Sequence, residues 1–151
     1  MPTLRIGSRV LLAAALTVTL ILAAGSSKKK IVTPKDFPSG RPYSAGIQVG
    51  DTLYVSGMTG NDLKTGKAPE GFEDEVRQCL ANIRGTLQAG GMDFGDVVAV
   101  QVYLTDMDLF QRMNAVYTQT FTEPRPTRTT VGVAKLAAAG AHIEITVTAR
   151  K

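Results

Sequence analysis

The chain has 151 residues, 44% hydrophobic and 20% charged, with 15 Gly and 7 Pro, which is one globular domain's worth of sequence and neither a disordered nor a collagenous composition. One Cys and one His exclude a disulfide framework, a structural zinc site of about four Cys and His ligands, and a c-type haem. The net charge of +4 is local: five of the 17 Lys and Arg residues lie in the first 30 positions, leaving 12 basic against 13 acidic residues, and a body of formal charge −1 offers no electrostatic footprint to a nucleic-acid partner.

Residues 10–24 read VLLAAALTVTLILAA, without a charge, behind Arg5 and Arg9 and ahead of Gly25, Ser26 and Ser27. As a helix this run spans about 22 Å, short of the roughly 30 Å hydrocarbon core, so residues 1–25 are expected to be a cleaved signal peptide. The expected location is then the periplasm or the medium. Without cleavage the run extends to Ile6 and makes an anchor, the one membrane contact expected. Residues 26–40, basic and proline-containing, are expected to form a linker with little structure, and the domain to occupy 41–151.

Within that domain, residues 44–49 and 52–58 are apolar, β-branched stretches separated by Gly50-Asp51, a hairpin pattern. Phe72, Val76, Cys79, Leu80, Ile83 and Leu87 recur at helical spacing before Gly90-Gly91, an amphipathic helix with a glycine stop. The run VVAVQVYL at 97–104 is expected to be a strand covered on both faces. Asp106 or Asp108 is placed to cap a second helix, whose stripe is Leu109, Phe110, Met113, Val116, Tyr117 and Phe121 and which ends before Pro124 and Pro126. Strands at 129–134 and 142–148 close the chain. Two helices of this length cover one face of a single mixed sheet, a two-layer α+β sandwich. The other face, also β-branched, is expected to be buried against further copies of the chain.

Several chemistries are absent. No GxSxG elbow accompanies His142, a lone His at a strand start and so a surface or structural residue. Cys79 on an apolar stripe is expected to behave as a small hydrophobe. The acidic run Glu70, Glu73, Asp74, Glu75 opens a helix and complements its dipole. Arg128, at the head of a strand after Pro124-Arg125-Pro126-Thr127, is suited to bidentate binding of a carboxylate. Glu144, between Ile143 and Ile145, either points to solvent by simple alternation or is held in a cleft where it orients water. Tyr43 follows Pro42 in an extended lead-in, where a tyrosine packs its ring.

Five ordered segments, Arg41-Pro42-Tyr43-Ser44-Ala45-Gly46, Val55-Ser56-Gly57, Asn114-Ala115-Val116-Tyr117, Pro126-Thr127-Arg128-Thr129-Thr130-Val131 and Ile143-Glu144-Ile145, resemble the reactive intermediate deaminase (Rid, YjgF/YER057c/UK114) family. The resemblance implies a chorismate-mutase-like two-layer sandwich, with one mixed six-stranded sheet and two helices on one face. It also implies a homotrimer with pockets between subunits. It implies metal-independent, cofactor-free hydrolysis of small 2-imino and 2-enamino acids, such as 2-aminoacrylate and 2-iminopropanoate, to 2-oxo acids and ammonia. By position, Arg128 would anchor the substrate carboxylate, Glu144 would polarise the attacking water and Tyr43 would close the pocket. Ser56, Gly57, Phe110 and Asn114 would line it, together with Thr130, which stands where many members have Cys. Met58 replaces the glutamine common after Ser-Gly. The alternative function is a trimer that binds small carboxylates, or acts as a chaperone, without turnover. The alternative location is the cytoplasm, as for most of the family. Cleavage of the export segment in a bacterial host is expected to yield a chain beginning at Gly25 or Ser26. Intact mass of the exported protein checks this, and a soluble exported chain that retains residues 1–24 contradicts it.

Overall fold

The computed structural model describes residues 28–151, so the signal peptide expected at residues 1–25 lies outside the described residues. A six-stranded sheet in the order β1-β2-β3-β6-β4-β5 carries two helices on one face. The strands are β1 (Lys30–Val32), β2 (Gly46–Val49), β3 (Thr52–Thr59), β4 (Val97–Leu104), β5 (Thr127–Gly132) and β6 (Ile143–Arg150); the helices are α1 (Phe72–Ala89) and α2 (Phe110–Thr120). Every neighbouring pair is antiparallel except β4 and β5.

Five of the six strands were legible in the sequence, β5 starting two residues before the expected 129–134. The sixth, β1, lies in the stretch expected to be a linker. Three residues are too few for a periodicity to show, yet Lys30, Ile31 and Val32 pair with Gln48, Ile47 and Gly46, and Val32 is buried in the core. Gly50 turns the β2–β3 hairpin at a φ of 60°, a conformation that suits glycine. The chain end closes on the same turn, where Arg150 Nε donates to Asp51 Oδ2 at 2.9 Å and Lys151 N to Asp51 O at 3.1 Å.

The expected stripe of α1 is buried along its length, and Met113, Val116 and Tyr117 of α2 are buried beside it. Asp106 supplies the cap, accepting from Asp108 N at 2.9 Å in the short turn that leads into α2. The two helices are joined on their outer side by Arg112, whose Nε and Nη2 donate to the Glu73 carboxylate at 2.7 Å each and hold its pKa down to about 2.

Alternation assigns the sheet faces. Leu53, Val55, Val100, Val102, Ile143, Ile145 and Val147 turn toward the helices and are buried. Ile47, Tyr54, Tyr103, Glu144, Thr146 and Thr148 share the other face, as their cross-strand pairing requires. That face is open in the single chain, with Ile31 66% and Tyr54 53% exposed, so β4 is covered on one side and not on both. Replacing the fully buried Ile83 with Ala is expected to cost about 2–5 kcal/mol, which thermal unfolding of the variant checks.

Candidate functional site

The first half of the site is built at a break in the β3–β6 ladder. Pairing slips between Val55 and Met58, so Ser56 and Gly57 form a bulge, a device that re-aims side chains beside a site. Ser56 N donates to Ala45 O at 2.9 Å and Ser56 Oγ to Ser44 O at 2.7 Å, which fixes the lead-in segment over the bulge. Tyr43 is thereby presented at the surface, 48% exposed, with its ring edge-on to Phe37 at 6.0 Å. Glu144, opposite Thr59 and Tyr103, points away from the helices and is half-buried. A Cβ at Gly57 would lie 1.9 Å from Glu144 Oε1, so the carboxylate rests on bare glycine backbone. Tyr43, Ser56, Gly57 and Glu144 all line one cavity of about 610 Å³, walled further by Phe37, Arg41 and Ala137–Ala139. Both readings of Glu144 thus hold at once: alternation sends it to the open face, and that face is a cleft.

The second half lies on the opposite face. Arg128 and Thr130 pair with Val100 and Val102, residues that turn toward the helices, so both point to the α2 side at the edge strand β5. The Arg128 guanidinium carbon is 4.5 Å from the Tyr117 ring centroid and 5.6 Å from that of Phe110, distances that stabilise a cation on an aromatic face. Phe110, Asn114 and Tyr117 follow one another along a single face of α2. Tyr117 Oη and Thr130 Oγ1 are buried without a hydrogen-bond partner among the described residues. Burial pushes the Tyr117 phenol above its usual range, against the opposing fields of Arg128 and Arg125, so it stays a proton donor. Two buried hydroxyls beside a guanidinium with no carboxylate partner among the described residues make a cradle for an anion. Tyr117 was legible in the apolar stripe and as the last residue of the Asn114-Ala115-Val116-Tyr117 segment, neither of which gave it a role in the site; a hydroxyl at a buried position one turn from Asn114 was the available signal.

The eight residues singled out from the sequence therefore fall into two groups. Tyr43, Ser56, Gly57 and Glu144 meet in one cavity, whereas Arg128, Phe110, Asn114 and Thr130 gather on the other side of the sheet. β4 stands between β5 and β6, so two strand spacings of about 4.8 Å each and the thickness of the sheet separate the guanidinium from the carboxylate within one chain.

Two further expectations are settled here. Cys79 is buried, donates to Met58 O at 3.0 Å, and has its thiol pushed well above the usual range by burial. Glu75 departs from the reading that its acidic run merely complements the helix dipole. It is buried and accepts from His142 and Ile143. Among the described residues no three His, Cys, Asp or Glu side chains converge on a metal position.

A two-layer α+β sandwich with a carboxylate cavity on one sheet face and an arginine cradle on the other defines the class of protein. A family model described as Endoribonuclease L-PSP matches residues 33–151, and the chain belongs to that family, which includes the RutC and Rid (YjgF) proteins. A RutC family protein of Saccharolobus solfataricus is 43% identical over 111 residues, 73% of this chain and 87% of the relative. A protein of Dermatophagoides farinae named 2-iminobutanoate/2-iminopropanoate deaminase is 37% identical over 112 residues, 74% of this chain and 88% of its own. The crystal structure of RidA from the Antarctic bacterium Psychrobacter sp. PAMC 21119 superposes with a TM-score of 0.75 at 33% identity, covering 81% of this chain and all of that one.

Gly57→Ala is expected to displace the Glu144 carboxylate into the cavity while shifting Tm by less than about 4 °C, because the added methyl enters an open face. A crystal structure of the variant with Glu144 unmoved contradicts the close approach.

Proposed function

We propose that this chain is a hydrolytic deaminase of small 2-imino and 2-enamino acids, of the 2-aminoacrylate and 2-iminopropanoate type, active as an exported homotrimer. The observation that carries the proposal is the pairing of two half-sites: a carboxylate lying on glycine backbone in an open cavity, and a guanidinium stacked on aromatic rings beside two buried hydroxyls. Neither half suffices for the reaction, and one chain cannot bring them together. A second copy that lays its β5 edge over the cavity supplies the missing half and covers the open sheet face, where Ile31, Tyr54 and Val131 are exposed. The deaminase named in Dermatophagoides farinae supports the choice of chemistry.

The substrate carboxylate binds Arg128 through two parallel hydrogen bonds, with Thr130 and Tyr117 hydroxyls as further donors and Asn114 and Phe110 as the wall. An enamine first takes a proton at C3 and becomes the imine. Glu144 of the neighbouring copy holds a water against C2, with Tyr43 closing the cavity and hydrogen-bonding the same water. As the water oxygen bonds to C2, Glu144 accepts one of its protons and the C=N electron pair moves to nitrogen. The resulting carbinolamine collapses: Glu144 returns its proton to the amino nitrogen and takes the hydroxyl proton in its place, C=O forms, the C–N bond breaks, ammonia departs, and Glu144 releases its proton to solvent. A protonated imine is electrophilic on its own, so fixing the two reactants supplies most of the acceleration. The ribonuclease activity in the family's description finds no support in the charge of −1 beyond residue 30.

Arg128→Ala is expected to raise KM for 2-iminopropanoate by about tenfold to a hundredfold, as loss of a charge-assisted pair requires. Glu144→Gln is expected to lower kcat by about 10²-fold or more with KM little changed. Ammonia release in a coupled assay measures both. Mixing the two impaired chains under conditions that exchange subunits is expected to raise kcat/KM above that of either variant alone, because one interface then joins an intact Arg128 to an intact Glu144. An Arg128→Ala chain with unchanged kcat/KM sinks the deaminase reading, and a mixture no more active than its two components sinks the shared site.

A further inference from the structure

Outside the reacting groups, the buried charged side chain among the described residues is Glu75, in the first turn of α1 and 1% exposed. A carboxylate is costly to bury unless its oxygens accept hydrogen bonds, and here they accept three. Oε1 takes His142 N at 2.7 Å and Ile143 N at 3.3 Å, and Oε2 stands 2.8 Å from His142 Nδ1. All three donors belong to the two residues that precede Glu144. The backbone they come from is the first turn out of residues 133–142, an irregular and largely exposed loop rich in alanine. Glu75 thus ties the start of β6 to a rigid helix at the point where the loop ends.

The helix is itself held close to β3. A Cβ at Gly60 would lie 2.2 Å from the Glu75 carbonyl oxygen, so only glycine lets α1 come this near. Asn82, two turns further along α1, donates from Nδ2 to Thr59 O and Asn61 O at 2.9 Å each. One face of α1 therefore fixes the end of β3, which carries the Gly57 floor, and the start of β6, which carries the carboxylate resting on that floor.

Resting on the deaminase reading, we propose that Glu75 is a positioning residue for Glu144. By capping the amides of His142 and Ile143 it sets where the Glu144 carboxylate stands relative to Gly57 and to the attacked carbon. Arg128 lies on β5, at the far edge of the sheet, so Glu75 acts on turnover and not on carboxylate binding. The ring pair with His142 is exposed on its His side, and the two backbone amides carry the effect.

Three substitutions of the full chain separate positioning from simple structural support. Glu75→Gln keeps an oxygen for the two amides and is expected to retain kcat within about threefold, whereas Glu75→Asp, which retracts the carboxylate by one methylene, and Glu75→Leu are expected to lower kcat at least tenfold, with KM within about twofold of wild type. Amide hydrogen exchange at Ile143, Glu144 and Ile145 is expected to accelerate at least about tenfold in the Asp and Leu variants while Val100 and Val102 stay unchanged. A Glu75→Asp chain with wild-type kcat, or with unchanged exchange at 143–145, overturns the proposal even if its Tm falls. If Glu75→Leu does not fold, Glu75→Asp decides. A wild-type chain without imine hydrolysis overturns the deaminase reading instead, and the exchange measurement then decides whether Glu75 holds the Glu144 segment.

Discussion

The constraint on which the site depends is the order of strands in the sheet combined with the two-residue period of a strand. Glu144 on β6 alternates with Ile143 and Ile145, which are buried under the helices, so its side chain must leave by the other face. Arg128 on β5 is in register with Val100, which is buried under the helices as well, so its side chain must leave toward α2. With β4 between them, no rotamer of either residue brings a guanidinium and a carboxylate to one small acid. The chemistry proposed for this chain therefore calls for the proposed assembly, in which a second copy would cover the open sheet face and complete the half-built site.

Each half-site shows why its residues need the surroundings they have. The carboxylate side is shaped by omission: a missing Cβ at Gly57 lets Glu144 lie against backbone, and a missing Cβ at Gly60 lets α1 approach closely enough for Glu75 to reach the start of β6. Both depend on glycine for space and not for an unusual φ. The arginine side is shaped by stacking. Tyr117 and Phe110 hold the guanidinium plane without neutralising it, so its full charge remains for a ligand carboxylate. Among the described residues the seven ion pairs all lie elsewhere.

Polar residues on the inner face of α1 link these local features. Glu75, Cys79 and Asn82 lie on the buried side of the helix, and they bond backbone at the end of β3 and just beyond it, Met58 O, Thr59 O and Asn61 O, and at the start of β6, the amides of His142 and Ile143. Backbone groups where strands end lose their ladder partners, and a buried free group is unfavourable until something bonds it. The polar positions on α1 answer that need at the end of β3 and the start of β6, which ties the strand ends beside the cavity to the helix.

Much of the molecule is determined by local pattern. The stripe from Phe72 to Leu87, the apolar runs of β3, β4 and β6, and the glycine stop at Gly90-Gly91 each announce an element, because burial of one face imposes a period that survives in the sequence. The ordered segments around Tyr43, Gly57, Arg128 and Glu144 likewise announce a family. Tertiary structure alone decided three things. β1 is too short to show a period and exists only because β2 offers an unpaired edge. Glu75 reads as one more acid in a helix's first turn, and its burial depends on a strand that begins 68 residues later at Ile143. The separation of Arg128 from Glu144 follows from β4 lying between their strands, and spatial order is set by long-range pairing that no local window contains.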